Sequence, residues 1–286
     1  METMLGTALF GLNYGTFNCK PKLEKKRIFE ILDYALEQQI LDIDTAQAYG
    51  SSETNLGEYP NIHKFRISTK FKTQSTSTDI RPLFEKSLAQ LRVPNLHSML
   101  FHSYSDLDSI AGEKAYAFLQ EQKQIGRLQK IGCSVYTPAE AVAAIQKYNF
   151  DIIQGPFSIL DQRMVKSGAL HDLRKRNVEF HARSIFLQGT VFLPASKILT
   201  HLPEVACKLE LLQRLSKETN SSISQLTYTF LNQTSLVSKA IIGVDSISEL
   251  KKFADHGAPV LPENWEMFSV TNENQIDPRK WRSPCD

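Results

Sequence analysis

Four residues bring together the groups needed to move a proton onto a carbonyl oxygen. Asp44, Tyr49, Lys70 and His102 supply a carboxylate, a phenol, an ammonium and an imidazole. Such a mixture argues for proton transfer rather than metal binding, because Lys and Tyr are poor zinc ligands. A phenol of pKa about 10 is a weak acid near neutrality, and a neighbouring cation favours its ionised form. Lys70 is expected to be that cation, with Asp44 as the partner that makes its burial tolerable. His102 is expected to donate a hydrogen bond that polarises the carbonyl. No side chain in this set can reduce a carbonyl, so a bound hydride donor has to be supplied. A non-redox reading of the same residues is a Schiff-base aldolase acting through Lys70. Taken singly, each residue also has an ordinary role: a turn cap for Asp44, rim packing for Tyr49, a solvated strand end for Lys70 and a core imidazole for His102.

What those ordinary roles leave unexplained is the placement. Asp44, Lys70 and His102 each end a short apolar or small-residue run, and the chain alternates such runs with helical stretches. The candidate strands are Leu5 to Phe10, Ile40 to Asp44, Phe65 to Lys70, Ser98 to His102, Leu128 to Ser134, Asp151 to Gln154, Val178 to Arg183 and Lys239 to Ile242. Ile28, Ile31, Leu32, Ala35 and Leu36 fall on one stripe and predict a helix over Leu23 to Gln38. Leu83, Leu88 and Leu91 near 79 to 92, Ala115 to Leu119, Ala139 to Tyr148 and Leu209 to Leu215 predict further helices. Thr137, Pro138 and Glu140 read as an N-cap, a first-turn proline and a first-turn acid. Strands joined by crossover helices must run parallel. Eight such units in 286 residues predict one α/β domain, a (β/α)8 TIM barrel over 1–257, with a C-terminal extension over 258–286 packing on the barrel. The active site of such a barrel lies at the C-terminal strand ends, where the ionisable residues converge.

Composition narrows the partners. Lys+Arg 33 against Asp+Glu 31 gives a net charge of +2, spread without blocks, which excludes an electrostatic nucleic-acid binder or a polybasic membrane anchor as a first reading. No run of 18 apolar residues exists, and Met1 to Met4 carries no cationic segment, so a soluble, cytoplasmic protein without a membrane partner is expected, as a monomer or weak homo-oligomer. Cys19, Cys133, Cys207 and Cys285 form no CxxC or Cys/His cluster, which predicts reduced thiols and no metal site. His63, His97, His171, His201 and His256 have no partner pattern. His181 and Arg183 on the seventh strand stay unassigned, and Trp265 and Trp281 are equally suited to a pocket wall or to packing under the tail.

The run Asp44-Thr45-Ala46-Gln47-Ala48-Tyr49-Gly50-Ser51-Ser52-Glu53, followed by Ser68-Thr69-Lys70 and Leu100-Phe101-His102, resembles the signature of the aldo-keto reductase superfamily. Ile131-Gly132-Cys133-Ser134 is similar to the superfamily's strand-five motif. The resemblance implies NAD(P)H-dependent reduction of an aldehyde or ketone to an alcohol, with Tyr49 as general acid and Lys70, Asp44 and His102 in support. It implies Ser134 and Gln154 as holders of the nicotinamide carboxamide. Ser184, Phe186, Leu187 and Gly189 fall in the loop that wraps the pyrophosphate, and Gly243, Asp245, Ser246 and Glu249 in the segment that receives the adenosine phosphate. The chain also departs from the pattern. Val135 stands where Asn usually follows Ser134, and Phe157 is the nearest aromatic to a missing nicotinamide-stacking Tyr. Asp245 and Glu249 lie where NADPH-preferring members place a cation; Lys251 and Lys252 could compensate, so NADPH is expected and NADH is a live alternative. The runs Leu5 to Gly15 and Arg183 to Gly189 resemble bacterial members associated with surface-sugar metabolism, which suggests a sugar-derived carbonyl. A second function compatible with the resemblance is a dinucleotide-binding, redox-sensing subunit with little turnover.

Overall fold

Hydrophobic strands buried on both faces need helices on the outside and each other on the inside, and this chain meets both needs by closing its sheet. The computed structural model describes residues 1–73, 79–254 and 264–281. Strands β1 (Glu2–Gly6), β2 (Asp42–Asp44), β3 (Arg66–Phe71), β4 (Leu96–Phe101), β5 (Leu128–Ser134), β6 (Ile152–Pro156), β7 (Glu179–Arg183) and β8 (Lys239–Gly243) pair in parallel in chain order. The last returns to the first, with Glu2 opposite Lys239 and Gly6 opposite Gly243. This is the expected (β/α)8 barrel.

The helices are α1 (Lys25–Glu37), α2 (Ser52–Gly57), α3 (Arg81–Leu91), α4 (Ile110–Gln124), α5 (Pro138–Lys147), α6 (Arg163–Lys166), α7 (Ala169–Lys175), α8 (Ala195–Ile198), α9 (Pro203–Glu218), α10 (Ile223–Gln233), α11 (Ile247–Ala254) and α12 (Glu273–Ile276). Helix α1 forms where the stripe predicts: Ile28, Ile31, Leu32 and Ala35 are all fully buried. Helix α5 starts at the predicted cap, where the Thr137 hydroxyl accepts from the Glu140 amide and the Glu140 carboxylate accepts from the Thr137 amide. One strand differs from expectation. β1 begins at Glu2 and stops at Gly6, and Ala8–Phe10 is a 3-10 turn. Leu9 and Phe10 read as strand because they are apolar, but they are buried as a plug against the turn that carries Tyr49.

That plug fixes the loop after β2. A Cβ on Gly11 would lie 1.8 Å from the Tyr49 carbonyl oxygen, and one on Gly50, at φ +57, would lie 2.4 Å from the Gly11 oxygen. Only two glycines permit this approach. The N-terminal end of the barrel is closed by charge instead. Asp42 accepts from Arg66 at 2.9 Å and pairs with Lys239 at 2.7 Å, and both Asp42 and Lys239 are buried. Burial favours the neutral acid, yet Arg66 and Lys239 outweigh it and hold the Asp42 carboxyl below the usual range.

The chain after α11 returns to the barrel. Phe268, Val270 and Ile276 are buried, Trp265 meets Phe230 edge to face at 5.4 Å, and Trp281 lies 5.3 Å from Phe17. The boundary expected at 257/258 lies outside the described residues. The cysteine expectation needs one correction: Cys19 is disulfide-bonded, whereas Cys133 and Cys207 are free and Cys285 lies outside the described residues. Separation along the sequence says little about distance once a tail folds back beside the loop after β1. No described helix is long and apolar enough to cross a membrane.

Candidate active site

A cavity of about 540 Å³ opens at the C-terminal strand ends, and Asp44, Tyr49, Lys70 and His102 all line it. Lys70 is fully buried on β3, and Asp44 ends the neighbouring β2. The Lys70 Nζ donates to both Asp44 carboxylate oxygens at 2.7 Å and to the Thr45 carbonyl at 2.8 Å, which uses all three of its protons. Burial pushes the Lys70 ammonium below its ordinary value despite the attraction of Asp44. The ammonium lies 5.1 Å from the centre of the Tyr49 ring.

Tyr49 departs from expectation. Its phenol is pushed up, first by burial and then by the charge of Asp44, with Arg183 opposing. The lowering expected from Lys70 does not prevail, because burial and the charge of Asp44 outweigh it. The phenol therefore keeps its proton. His102 meets Tyr49 edge to face, with ring centres 6.1 Å apart and planes at 89°. Burial, then Lys70 and Lys72, push the His102 imidazole down to about 3, so it is neutral at any ordinary pH. Its Nδ1 is buried without a hydrogen-bond partner.

Ser134 and Gln154, at the ends of β5 and β6, also line the cavity, paired in register. The Gln154 Nε2 donates to Asp44 at 2.8 Å, tying the carboxylate to a second strand, while its Oε1 is buried and unpartnered. That orphan acceptor fits an amide N–H such as a nicotinamide carboxamide offers. Phe157 does not reach the cavity. It is fully buried against Phe230 at 5.3 Å and Phe180 at 6.3 Å, because the chain after β6 turns its ring into the core. Besides Tyr49 and His102, the described aromatic residues on the cavity wall are Tyr14, Tyr136, Phe186 and Phe192.

After β7 the backbone adopts left-handed conformations at Ser184 (φ 57), Leu187 (φ 45), Gln188 (φ 54) and Gly189 (φ 82). Ser184, Phe186 and Gly189 line the cavity, whereas Leu187 is buried away from it. The Gln188 Oε1 accepts from the Thr16 amide at 2.9 Å and so joins this turn to the loop after β1. At the far end, Gly243 and Glu249 line the cavity but Asp245 and Ser246 do not. Ser246 accepts from the Glu249 amide at 3.3 Å and starts α11, which gives it a structural role. Lys20 reaches across to Asp245 at 2.7 Å and to Glu249 at 2.8 Å. Burial works to raise the Asp245 carboxyl, but Lys20 outweighs it and holds it below the usual range. Lys20 and Lys252 lie on the cavity wall beside Glu249.

Several wall residues were not picked out as site residues by sequence reasoning. Arg183 had the signal, since it ends a strand as Asp44 does. Lys20, Tyr136 and Arg279 had none: they come from irregular segments whose position depends on the whole fold. Among the described residues no group of three or more His, Cys, Asp or Glu could hold a metal ion.

The family model described as "Aldo/keto reductase family" matches residues 4–265. An aldo-keto reductase from Bacillus halodurans, solved in its holo form, superposes with a TM-score of 0.73 at 20% identity, over 96% of this chain and 95% of that one. A Pseudomonas aeruginosa protein described as an aldo-keto reductase superposes with a TM-score of 0.67 at 18% identity, over 90% and 89% of the two chains. No curated protein matches in sequence. Identities this low speak for the fold alone, but the family model spans nearly the whole barrel and its match includes all four ionisable residues. The chain belongs to the aldo/keto reductase family, whose members are NAD(P)H-dependent oxidoreductases.

Proposed function

We propose that this protein reduces a small aldehyde or ketone to the alcohol, with NADPH as the cofactor. The observation that carries this reading is the meeting of a protonated Tyr49, a neutralised Lys70–Asp44 pair and a neutral His102 on one cavity. The nicotinamide supplies the hydride when bound, and Ser134 and the orphan Gln154 oxygen are the groups that fit its carboxamide. Ser184, Phe186 and Gly189 would border the pyrophosphate, and Gly243 with Glu249, Lys20 and Lys252 the adenosine end. There Lys20 offsets Asp245 and Glu249, which removes their repulsion of a 2′-phosphate, and Lys252 on the same wall is the cation to meet it.

Tyr49 holds its proton until the carbonyl oxygen gains negative charge, and then donates it. The Lys70 ammonium, 5.1 Å from the ring, stabilises the phenolate that results. Asp44 keeps that ammonium charged in a buried place, and Gln154 holds Asp44 in line. His102, uncharged, orients the carbonyl without competing for the proton.

The test pairs binding with turnover. Fluorescence titration is expected to show NADPH binding tighter than NADH. Steady-state assays over a panel of aldehydes should show a Tyr49→Phe loss of about 100-fold or more in kcat with NADPH binding retained. Undiminished turnover by Tyr49→Phe would remove the mechanism.

A further inference from the structure

Arg183 ends β7 on the cavity wall, and no carboxylate among the described residues lies within 4.0 Å of its guanidinium. Its hydrogen bonds go to neutral oxygens: Nη2 donates to the Val135 carbonyl at 2.9 Å and Nη1 to the Ser184 hydroxyl at 3.5 Å. Its guanidinium lies 4.2 Å from the centre of the Tyr136 ring, and the Arg279 guanidinium, from the tail, lies 3.4 Å from the same centre. Two neighbouring cations on the wall are matched. Arg279 pairs with Asp277 at 2.6 Å and Lys70 with Asp44 at 2.7 Å.

Arg183 thus carries a positive charge that no described carboxylate balances on the wall at the catalytic end of the cavity, and that charge acts on Tyr49, Lys70 and His102. A guanidinium presents five N–H donors in a rigid fork, and only two are used here. Stacking on a ring and one firm carbonyl bond hold the fork in place, so little side-chain freedom is lost when a ligand binds. What such a fork recognises is an oxyanion.

We propose that Arg183 binds a carboxylate or phosphate on the substrate, so that the preferred carbonyl compound is an anion. This rests on the carbonyl-reduction reading and adds the substrate's charge class to it. Among the described residues on the cavity wall at this end, Lys70 has spent its protons and its charge on Asp44 and Thr45, and Arg279 is paired with Asp277.

The experiment compares kcat/KM for 4-oxobutanoate and glyceraldehyde 3-phosphate with that for butanal and glyceraldehyde, in the wild type, Arg183→Met and Arg183→Lys. Binding of succinate to the protein–dinucleotide complex is measured alongside by calorimetry. An anionic aldehyde should exceed its neutral counterpart by about 10- to 100-fold, the range of one charge-assisted pair, with the gap mainly in KM. Which anion leads tells carboxylate from phosphate. Arg183→Met should collapse the ratio and weaken succinate binding, and Arg183→Lys should restore part of both. Equal rates for charged and neutral aldehydes overturn the inference, as does a preference that survives Arg183→Met. So does a variant that loses dinucleotide affinity with its charge preference intact, which would assign Arg183 to the cofactor. If no aldehyde is turned over by the wild type, carbonyl reduction fails, while Arg183-dependent succinate binding would still support the oxyanion site.

Discussion

Asp44 is shared between Lys70 and Gln154, so one carboxylate couples strands β2, β3 and β6 at the reacting centre. Beside it, His102 sits where the charged imidazole is disfavoured, and this has a thermodynamic signature. Its pKa falls from 6.5 to about 3 in the folded chain. Below pH 6.5 the unfolded chain therefore binds a proton that the folded chain does not, so the stability His102 contributes is present above that pH and is lost as pH falls towards 3. Urea unfolding between pH 6.5 and 5 should show a shallower pH slope for His102→Gln, by up to one proton, about 1.4 kcal/mol per pH unit. Identical slopes would mean that the imidazole titrates normally. Asp44, Lys70 and His102 were legible in the sequence because strand ends advertise them, and Tyr49 because it lies in the motif that follows Asp44. Their bonding was not: that Gln154 faces Asp44, or that Tyr49 is pushed up rather than down, depends on burial and on distances across strands far apart in sequence.

The elements that hold Tyr49 are a turn and a glycine rather than a strand. Gly11 has an ordinary φ of −132, so its requirement is space, set by the Tyr49 carbonyl and the Ser52 amide. Gly126 is the opposite case, at φ +78 with nothing within 4 Å of a Cβ. Gly126→Ala should cost about 1–2 kcal/mol and leave turnover alone. Gly11→Ala should be the more destabilising and should cut kcat by about 10-fold or more, because the tyrosine turn must move. Denaturation and steady-state assays on the two variants decide it, and retained kcat in Gly11→Ala would show that the turn does not position the phenol. At this scale all eight strands were readable from apolar runs, with the first displaced by a few residues. The short helices α6 to α8 and the pairing of α9 with α10 were not, since their apolar residues are too few or too scattered to give a period over one window.

Across the whole molecule, charge is sorted by end. Ion pairs of Asp42, Arg66 and Lys239 close the bottom of the barrel, while the top carries the cavity. The tail belongs to the core as much as any helix, although its sequence gave no periodicity, because it is built from single anchors. Phe268 is one, with 1% of its surface exposed, and Phe268→Ala should lower the unfolding free energy by about 3–5 kcal/mol in urea titration. A change below about 1 kcal/mol would mean the tail is an appendage. Closure of the sheet has a temporal side as well. β1 lies between β2 and β8, and its register with β8 sets Glu2 against Lys239, so during synthesis one edge of β1 waits for a partner made about 240 residues later. At roughly 5–20 residues per second that is about 12 s or more of an unpaired edge, which makes β1 the strand of this barrel that most needs protection from wrong partners in a nascent chain.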